Sequence, residues 1–595
     1  MPAVGAQDTT AVRRDTAARR DSLVQQSART GGARVDSIEA PLARAEAPAW
    51  SVPGSTSSWN RDSVFSSGAH MLGELIEAVP GVTVFRTGWL ASPHLAAYLG
   101  KLGRVRVFYD GVELDPLDAR AGGALDLSFV ETWPLEEVRV EQGADEVRVH
   151  LRSWRVNSTT PVTRVDIHTG DLETNTYRGY FGRRFPGGHA LQLGAYQYGT
   201  TDVQHGGDAD QTSLWGRAGW ARGKWSFDAS ILRVGRQRGE QSREGPGTPL
   251  PALDAVSSTA YVRAGFGDPD SGPWLQAIAA RQQFAIRKPP ITVLDTIPGP
   301  GGGGPGGSPE EPDTVTVAGD TSRSARQYVV AGGFAFGRLR LSGTARARER
   351  DGHIRLTPSL RATVAVQRAT LGAFLERPDV GVGMRTELNA RVQPISPLSL
   401  ELVTARWLGD GIPGFTAFRA GIGIRAGRLW IGGGTFSTDA VTSLAPVLFD
   451  TSFRAPAAGP VRGIYGLARG KVFRDIGLDF VGLRYQGAAP FHPEYQVRTR
   501  LYLDSDMRRR FPSGNLHILI ALSHEYRTQV PFPTGNGELF SSQYRTWGLQ
   551  VEVRLLSATL SYQFRNFMNE EFVQVPGFAM PRPTNFYGVR WEFWN

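Results

Sequence analysis

"RLRLSGTARARER", residues 338–350, places small or apolar residues at alternate positions and polar ones, mostly arginine, between them. Successive side chains of a strand point to opposite faces. Leu339, Leu341, Gly343, Ala345 and Ala347 therefore share one face, and Arg340, Ser342, Thr344, Arg346, Arg348 and Arg350 the other. The next segment, "HIRLTPSLRATVAVQ" (353–367), repeats the pattern, with Ile354, Leu356, Leu360, Ala362 and Val364 opposing Arg355, Thr357, Ser359 and Arg361. In "TWGLQVEVRL" (546–555), Trp547, Leu549, Val551 and Val553 oppose Gln550, Glu552 and Arg554.

Working outward, the alternation recurs from about residue 161 to the end as about 22 strands. They start near 161, 174, 188, 211, 223, 256, 273, 325, 338, 353, 368, 381, 397, 413, 427, 461, 475, 495, 514, 540, 555 and 583. Connections after even-numbered strands are mostly tight, such as "FPGGH", "ARGKW" and "RAGRL". The longest connections, 236–255, 288–324, 438–460, 527–539 and 566–582, all follow odd-numbered strands. One of them holds the glycine-proline run "IPGPGGGGPGGSPEEPD" (297–313).

A soluble β-sandwich also alternates, but its strands average about five or six residues and its single core cannot extend over so long a series. Two chemically different ends, one with tight turns and one with long loops, are what a bilayer imposes. Backbone groups in lipid must be paired internally, so the strands close into a barrel. An arginine facing lipid at the midplane costs about 2–4 kcal/mol, so the arginine faces turn to the lumen. The expected fold is mostly β: a transmembrane antiparallel barrel over 156–595, spanning the outer membrane of a Gram-negative type envelope, with both termini on the periplasmic, short-turn side.

Composition agrees. The 595 residues include 71 glycines and no cysteine, which excludes disulfides and thiolate metal sites. No apolar run reaches the roughly 18 residues of a membrane helix. The net charge of +9 rests on arginine, since only Lys101, Lys224, Lys288 and Lys471 are lysines. The arginines are dispersed along strands and not gathered in a patch, so no nucleic-acid partner is expected. "MPAVGAQDTT" lacks the apolar core of a signal peptide, although "VGA" before Gln7 resembles the end of one. A trimmed sequence, or a start placed too late, is the expectation.

The front of the chain divides at about residue 61. Residues 1–61 are polar and mixed in charge and read as a disordered tether. Residues 62–155 read as a small α+β unit. Leu72, Leu75, Ile76 and Val79 lie on one helix face, Ser66 or Ser67 can cap the start, and Pro80-Gly81 stops it. Strands follow at "VTVF" (82–85), "RVRVFY" (104–109), "VEL" (112–114) after an Asp110-Gly111 turn, and "EEVRVEQG" (136–143). A barrel of 22 strands is wide enough to be an open hole unless filled, and this unit is the natural plug.

At these residues the chain resembles the TonB-dependent outer-membrane receptor family. The resemblance lies in "LGELIEAVPGVTV" (72–84), "RVRVFYDGVEL" (104–114) and "LEEVRVEQGADEVRV" (135–149), in that order before a long barrel. Pro80, Gly81, Val82, Asp110, Gly111 and Val112 carry the plug motif. After Gly143 the family pattern is replaced by "ADEVRVHLRSW", which implies an abbreviated plug. "ARVDSIEA" (33–40) is the best candidate for a TonB box. The closing "GVRWEFWN" (588–595) resembles the C-terminal signal read by the barrel assembly machinery, through Gly588, Trp591 and Phe593.

The resemblance implies a monomeric, TonB-coupled importer of a scarce small solute, such as a siderophore-like chelate, vitamin, oligosaccharide or peptide. The alternative is a non-transporting barrel acting in adhesion or envelope assembly. Plug loops at 86–103 and 115–123 would meet the solute, with Trp89, His94, Tyr98, Asp115 and Arg120 as candidate contacts. The lumen arginines Arg340, Arg346, Arg348, Arg355 and Arg361 suit an anionic ligand or, more simply, carboxylates of the plug. No G-x-S-x-G elbow, P-loop or H-E-x-x-H occurs. No catalytic residue, metal or cofactor is expected, and the partners are lipid, the assembly machinery, an energy-coupling protein and the solute.

Overall fold

Alternation of this kind becomes a barrel when the last strand finds the first. In the computed structural model the strand Thr584–Trp594 pairs antiparallel with Val162–Gly170, in register from Phe586↔Gly170 to Trp594↔Val162. Twenty-two strands form a closed barrel in which each is bonded to its sequence neighbours. The structure describes residues 57–594 except 91, 119–123, 202–207, 246–247, 270–271, 288–290, 295–313, 318–320, 378–382, 409–413, 441–444, 447–452, 454–458 and 488. The tether to residue 56, the segment 33–40, the run 297–313 and Arg120 lie outside the described residues.

None of the 22 expected starts is displaced by more than four residues, the widest being 540 against Tyr544 and 325 against Thr321. The connection rule holds less strictly. The links 171–174 and 351–352 follow the first and ninth barrel strands yet are tight turns. Loops on the long-connection side carry hairpins of their own, Ile291–Leu294 with Thr314–Val317 and Pro531–Thr534 with Gly537–Phe540.

The outside of the barrel is an apolar band. Ile231, Val330, Leu388 and Ile422 are each more than half exposed, which water would penalise and lipid would not. Aromatics flank the band, with Tyr177 and Tyr587 toward the long loops and Trp225, Phe336, Phe473 and Trp591 toward the short turns. Such girdles mark the two membrane–water interfaces. No described helix is long and apolar enough to cross a membrane; here strands cross it.

The lumen holds the N-terminal unit. Five strands form one sheet in the order Ser57–Asn60, Leu135–Gln142, Val147–Ser153, Val105–Tyr109, Val112–Glu113. Three more, Val82–Arg86, His94–Tyr98 and Lys101–Leu102, form a second. Leu72, Ile76, Val140, Val149 and Leu151 pack in one apolar cluster with Tyr196, Trp215, Tyr261 and Tyr465 of the wall.

Three expectations need correction. Ser57–Asn60, within the stretch expected as tether, is an edge strand paired with Val140 to Glu137. Two short helices replace one: α1 (Arg61–Ser66), capped by the Asn60 side chain accepting from Ser63 N–H at 2.9 Å, and α2 (Leu72–Ile76). Ser66 and Ser67 end the first helix instead of capping the second, because Gly68 at φ 76° turns the chain. The stretch 86–103 is not all loop, since Arg86 ends one strand and His94–Tyr98 and Lys101–Leu102 form two more, the strand His94–Tyr98 being buried throughout.

Placing a charge on the outer face tests the orientation. Ile231→Arg, at a half-exposed position of the apolar band, is expected to destabilise the barrel in lipid vesicles by about 2–4 kcal/mol. Ile354→Arg, next to the long-loop end of its strand, is expected to cost less than about 1 kcal/mol. Urea titration of each variant in vesicles measures both.

Candidate functional site: an ion-paired plug and the cavity beside it

A barrel strand with arginine at every second position presents a ladder of guanidinium groups to whatever fills the lumen. Of the five candidates, three meet carboxylates of the plug. Glu113 accepts from Arg346 at 3.1 Å and from Arg348 at 2.7 Å. Arg348 also donates to Asp115 at 2.9 Å. Arg361 is bidentate on Glu141, at 2.5 and 3.1 Å. Arg340 and Arg355 lie near opposite ends of the same lumen-facing pattern and are exposed. The ladder is thus partly consumed by the plug.

Further pairs extend this contact around the wall. Arg106 of the plug is bidentate on Glu376, at 2.8 and 3.0 Å, and also bonds Glu113. Arg148 bonds Glu387 at 2.9 Å. Asp145 accepts from Arg385 and from the Trp407 indole, each at 2.7 Å. On the far side Glu77 accepts from Arg527 at 2.8 Å and Glu74 from Arg565 at 2.9 Å. Sequence reading missed Glu74, Glu77, Glu141 and Asp145 as anchors. Complementarity was the available signal, since arginine faces in the wall require acids opposite them.

Burial alone would raise the Glu113 carboxyl, but Arg106, Arg348 and Arg346 together hold it well below its ordinary 4.5. Glu141 is likewise depressed, with Arg148 and Arg361 outweighing burial. Asp115 moves the other way, because burial exceeds the help from Arg348.

The plug motifs are structural anchors here. Asp110, at φ 50°, caps Ser153 through N–H and hydroxyl bonds of 3.0 and 2.6 Å, and accepts from Tyr261 at 2.8 Å. Its carbonyl accepts from Arg263, so the turn is pinned to the wall. Gly81, at φ 88°, sits in the left-handed region that strains other residues, and a Cβ there would also crowd Leu99 at 2.8 Å and Tyr98 at 2.9 Å. The Pro80 carbonyl accepts from Gln142 at 2.6 Å.

A cavity of about 550 Å³ runs between the plug and the wall. Its wall residues come from strands between Val461–Phe473 and Ala558–Arg565, together with Phe572, Gln574, Met580, Pro581 and Arg582 of the last long loop and Thr584 at the start of the closing strand. Glu74, Arg86, Trp89 and His94 line its plug side, opposite Arg498, Glu525 and Arg565. Trp89 donates to Thr174 at 3.2 Å and lies under the Arg565 guanidinium. Burial, then Arg86, pushes His94 down to about 3, so its ring is neutral, and Nδ1 has no hydrogen-bond partner among the described residues. The candidate contacts therefore separate. Trp89 and His94 share the cavity, Tyr98 is buried and donates to the Gly143 carbonyl, and Asp115 is held by Arg348 on another side.

Over the plug, on the long-loop side, loops close with an apolar cluster. Phe85 meets Phe532, which also meets Phe453 and Phe491 at ring separations of 5.4 and 5.5 Å. Leu250, Val575 and Phe578 complete the cap.

No protein-family model and no curated sequence matches the chain. Solved structures do. The siderophore receptor PirA of Acinetobacter baumannii superposes with TM-score 0.67 at 10% identity, covering 91% of this chain and 98% of that one. A variant of the ferric enterobactin receptor PfeA of Pseudomonas aeruginosa, in complex with enterobactin, gives 0.67 at 11% identity, over 91% and 100%. The FrpB iron transporter of Neisseria meningitidis gives 0.68 at 10%, over 91% and 100%. The fold is shared along nearly the whole of each molecule.

Two outcomes are expected of the ion-paired plug. Glu113→Gln leaves three arginines without their common anion and should weaken plug docking by about 3–5 kcal/mol, read as faster hydrogen exchange at Val105–Tyr109 with the barrel still folded. Because the folded pKa values of Glu113 and Glu141 lie below 4.5, their contribution is complete above that pH and is lost as pH falls beneath it. Protease sensitivity of the plug, followed from pH 7 downward, should rise only in the acid range.

Proposed function

We propose that this chain, built on the plugged-barrel fold of the siderophore and iron receptors, is an outer-membrane receptor that imports a scarce small solute with energy supplied by a TonB-type coupling protein. The observation carrying this reading is the pairing of a closed barrel with a lumen-filling plug beside which a cavity of about 550 Å³ remains. A passive porin needs an open lumen, and this lumen is occupied by ion-paired protein.

In this reading the long loops face outside and both termini face the periplasm. The apolar cap over Phe85 excludes water until a solute displaces it. Trp89 offers an aromatic surface and His94 a neutral nitrogen without a partner among the described residues, and these are the contacts we assign to the solute as it passes the plug. The buried ion pairs hold the plug against thermal opening yet can be exchanged for water when it is pulled, because each charge regains hydration. Residues 1–56, joined to the edge strand Ser57–Asn60, are the segment on which the coupling protein would act. Gly588, Trp591 and Phe593 are assigned to recognition by the barrel assembly machinery.

Uptake and binding separate the parts of this proposal. With radiolabelled ferric catecholate and hydroxamate chelates as probes, deletion of residues 1–56 should abolish uptake and leave binding to cells intact. Trp89→Ala should weaken binding roughly tenfold, as loss of an aromatic anchor does. Undiminished uptake after the deletion would overturn the coupling role of residues 1–56, whereas no uptake by the full chain would place the protein among barrels with an adhesive or assembly role.

A further inference from the structure

The two rims of the barrel differ in charge. At the short-turn rim, Arg183, Arg222, Lys224, Arg338, Arg368 and Arg428 are exposed, one or two at each of five turns. Arg474 follows at the turn 474–475, and Arg508, Arg509 and Arg510 stand together in 506–515, the longest link on this side. The acids of this rim are few, and three have a base beside them. Asp475 faces Lys471 at 3.8 Å, Asp506 faces Arg508 at 3.3 Å, and Asp504 faces His517 at 2.7 Å. The long-loop rim is mixed instead, with exposed Asp171, Glu173, Glu240, Asp351, Glu538 and Glu571 among its arginines.

Position matters as much as sign. The basic turns are distributed around the circumference, and they lie just beyond an aromatic girdle formed by Trp225, Phe336, Phe473 and Trp591. In the longest link Phe511 is exposed directly after the three arginines. The girdle sets the level of the lipid–water interface, so the cations beyond it stand at the depth of headgroup phosphates. One docked protein would cover an arc; a ring of charge around a barrel matches a lipid annulus. Basic residues beside a membrane surface attract anionic lipid with an energy that salt screens.

We propose that the short-turn rim is a binding surface for anionic phospholipid headgroups of the adjacent leaflet, with Arg508, Arg509, Arg510 and Phe511 as its strongest anchor. Arginine suits this role because its fork donates to two phosphate oxygens at once. The inference rests on the outer-membrane reading of the barrel and adds which leaflet chemistry the barrel selects.

The test uses the full chain refolded in detergent, with phosphatidylglycerol and phosphatidylcholine as probes and retained lipid counted by native mass spectrometry. Phosphatidylglycerol should be retained several-fold over phosphatidylcholine, with the preference shrinking as ionic strength rises. Arg508→Gln/Arg509→Gln/Arg510→Gln should remove most of the preference, because each basic residue beside the surface contributes to it. Arg222→Gln/Lys224→Gln, at a separate turn, should cut it less. Equal retention of the two lipids overturns the proposal, as does a preference untouched in both variants. Displacement of the lipid by polyglutamate as readily as by phosphatidylglycerol also overturns it, in favour of an acidic protein partner. Gel migration with and without heating checks that each variant is folded. A wild-type chain showing no heat-dependent shift would remove the barrel premise itself, a failure read separately from the lipid ratio.

Discussion

Pairing of Val162–Gly170 with Thr584–Trp594 is the constraint on which the rest depends. Without it two strands would present open rows of N–H and C=O groups to lipid, where each unpaired group costs several kcal/mol. Closure joins residues more than four hundred positions apart and fixes the register of the whole sheet. That register decides which face of every strand sees lipid. Trp591 stacks on Phe593 on the outer side, while Glu592 on the inner side meets Arg61 of the plug at 3.3 Å.

Once closed, the barrel has a lumen lined by charge, and its filling follows from electrostatics. A guanidinium facing an apolar filler would be stranded, so the plug carries carboxylates where the wall carries arginine, and the reverse at Arg148 with Glu387. Such buried pairs contribute modestly to net stability, because desolvation offsets attraction. Their larger effect is on register, since sliding the plug by one strand position would leave charges unmatched. The cavity beside Trp89 and His94 is lined on its wall side by Arg469 and Asp479, 3.7 Å apart.

Much of this was legible in the sequence because a membrane strand writes its environment in period two. The 22 strand positions follow from alternation and turn residues alone, and lumen arginine follows from the cost of charge in lipid. Legibility faded in the plug. Leu72, Leu75 and Ile76 mark a helix, but Asn60 and Gly68 set the actual helix ends, and their signals are weaker than the serines at 66 and 67. The stretch 86–103 looked like loop because its strand His94–Tyr98 is buried on all sides, so it has no polar face to alternate with.

The sequence by itself determined the barrel, its strand count and the direction of its faces, because those depend on local periodicity against a two-sided solvent. Tertiary structure alone decided what the lumen arginines do. Arg346 and Arg355 read alike along the chain, yet one is buried against Glu113 and the other is exposed. It also decided that Trp89 and His94 share a cavity while Tyr98 and Asp115 do not. Those outcomes depend on which plug residue the closed wall brings opposite each strand, a matter of distances between segments hundreds of residues apart.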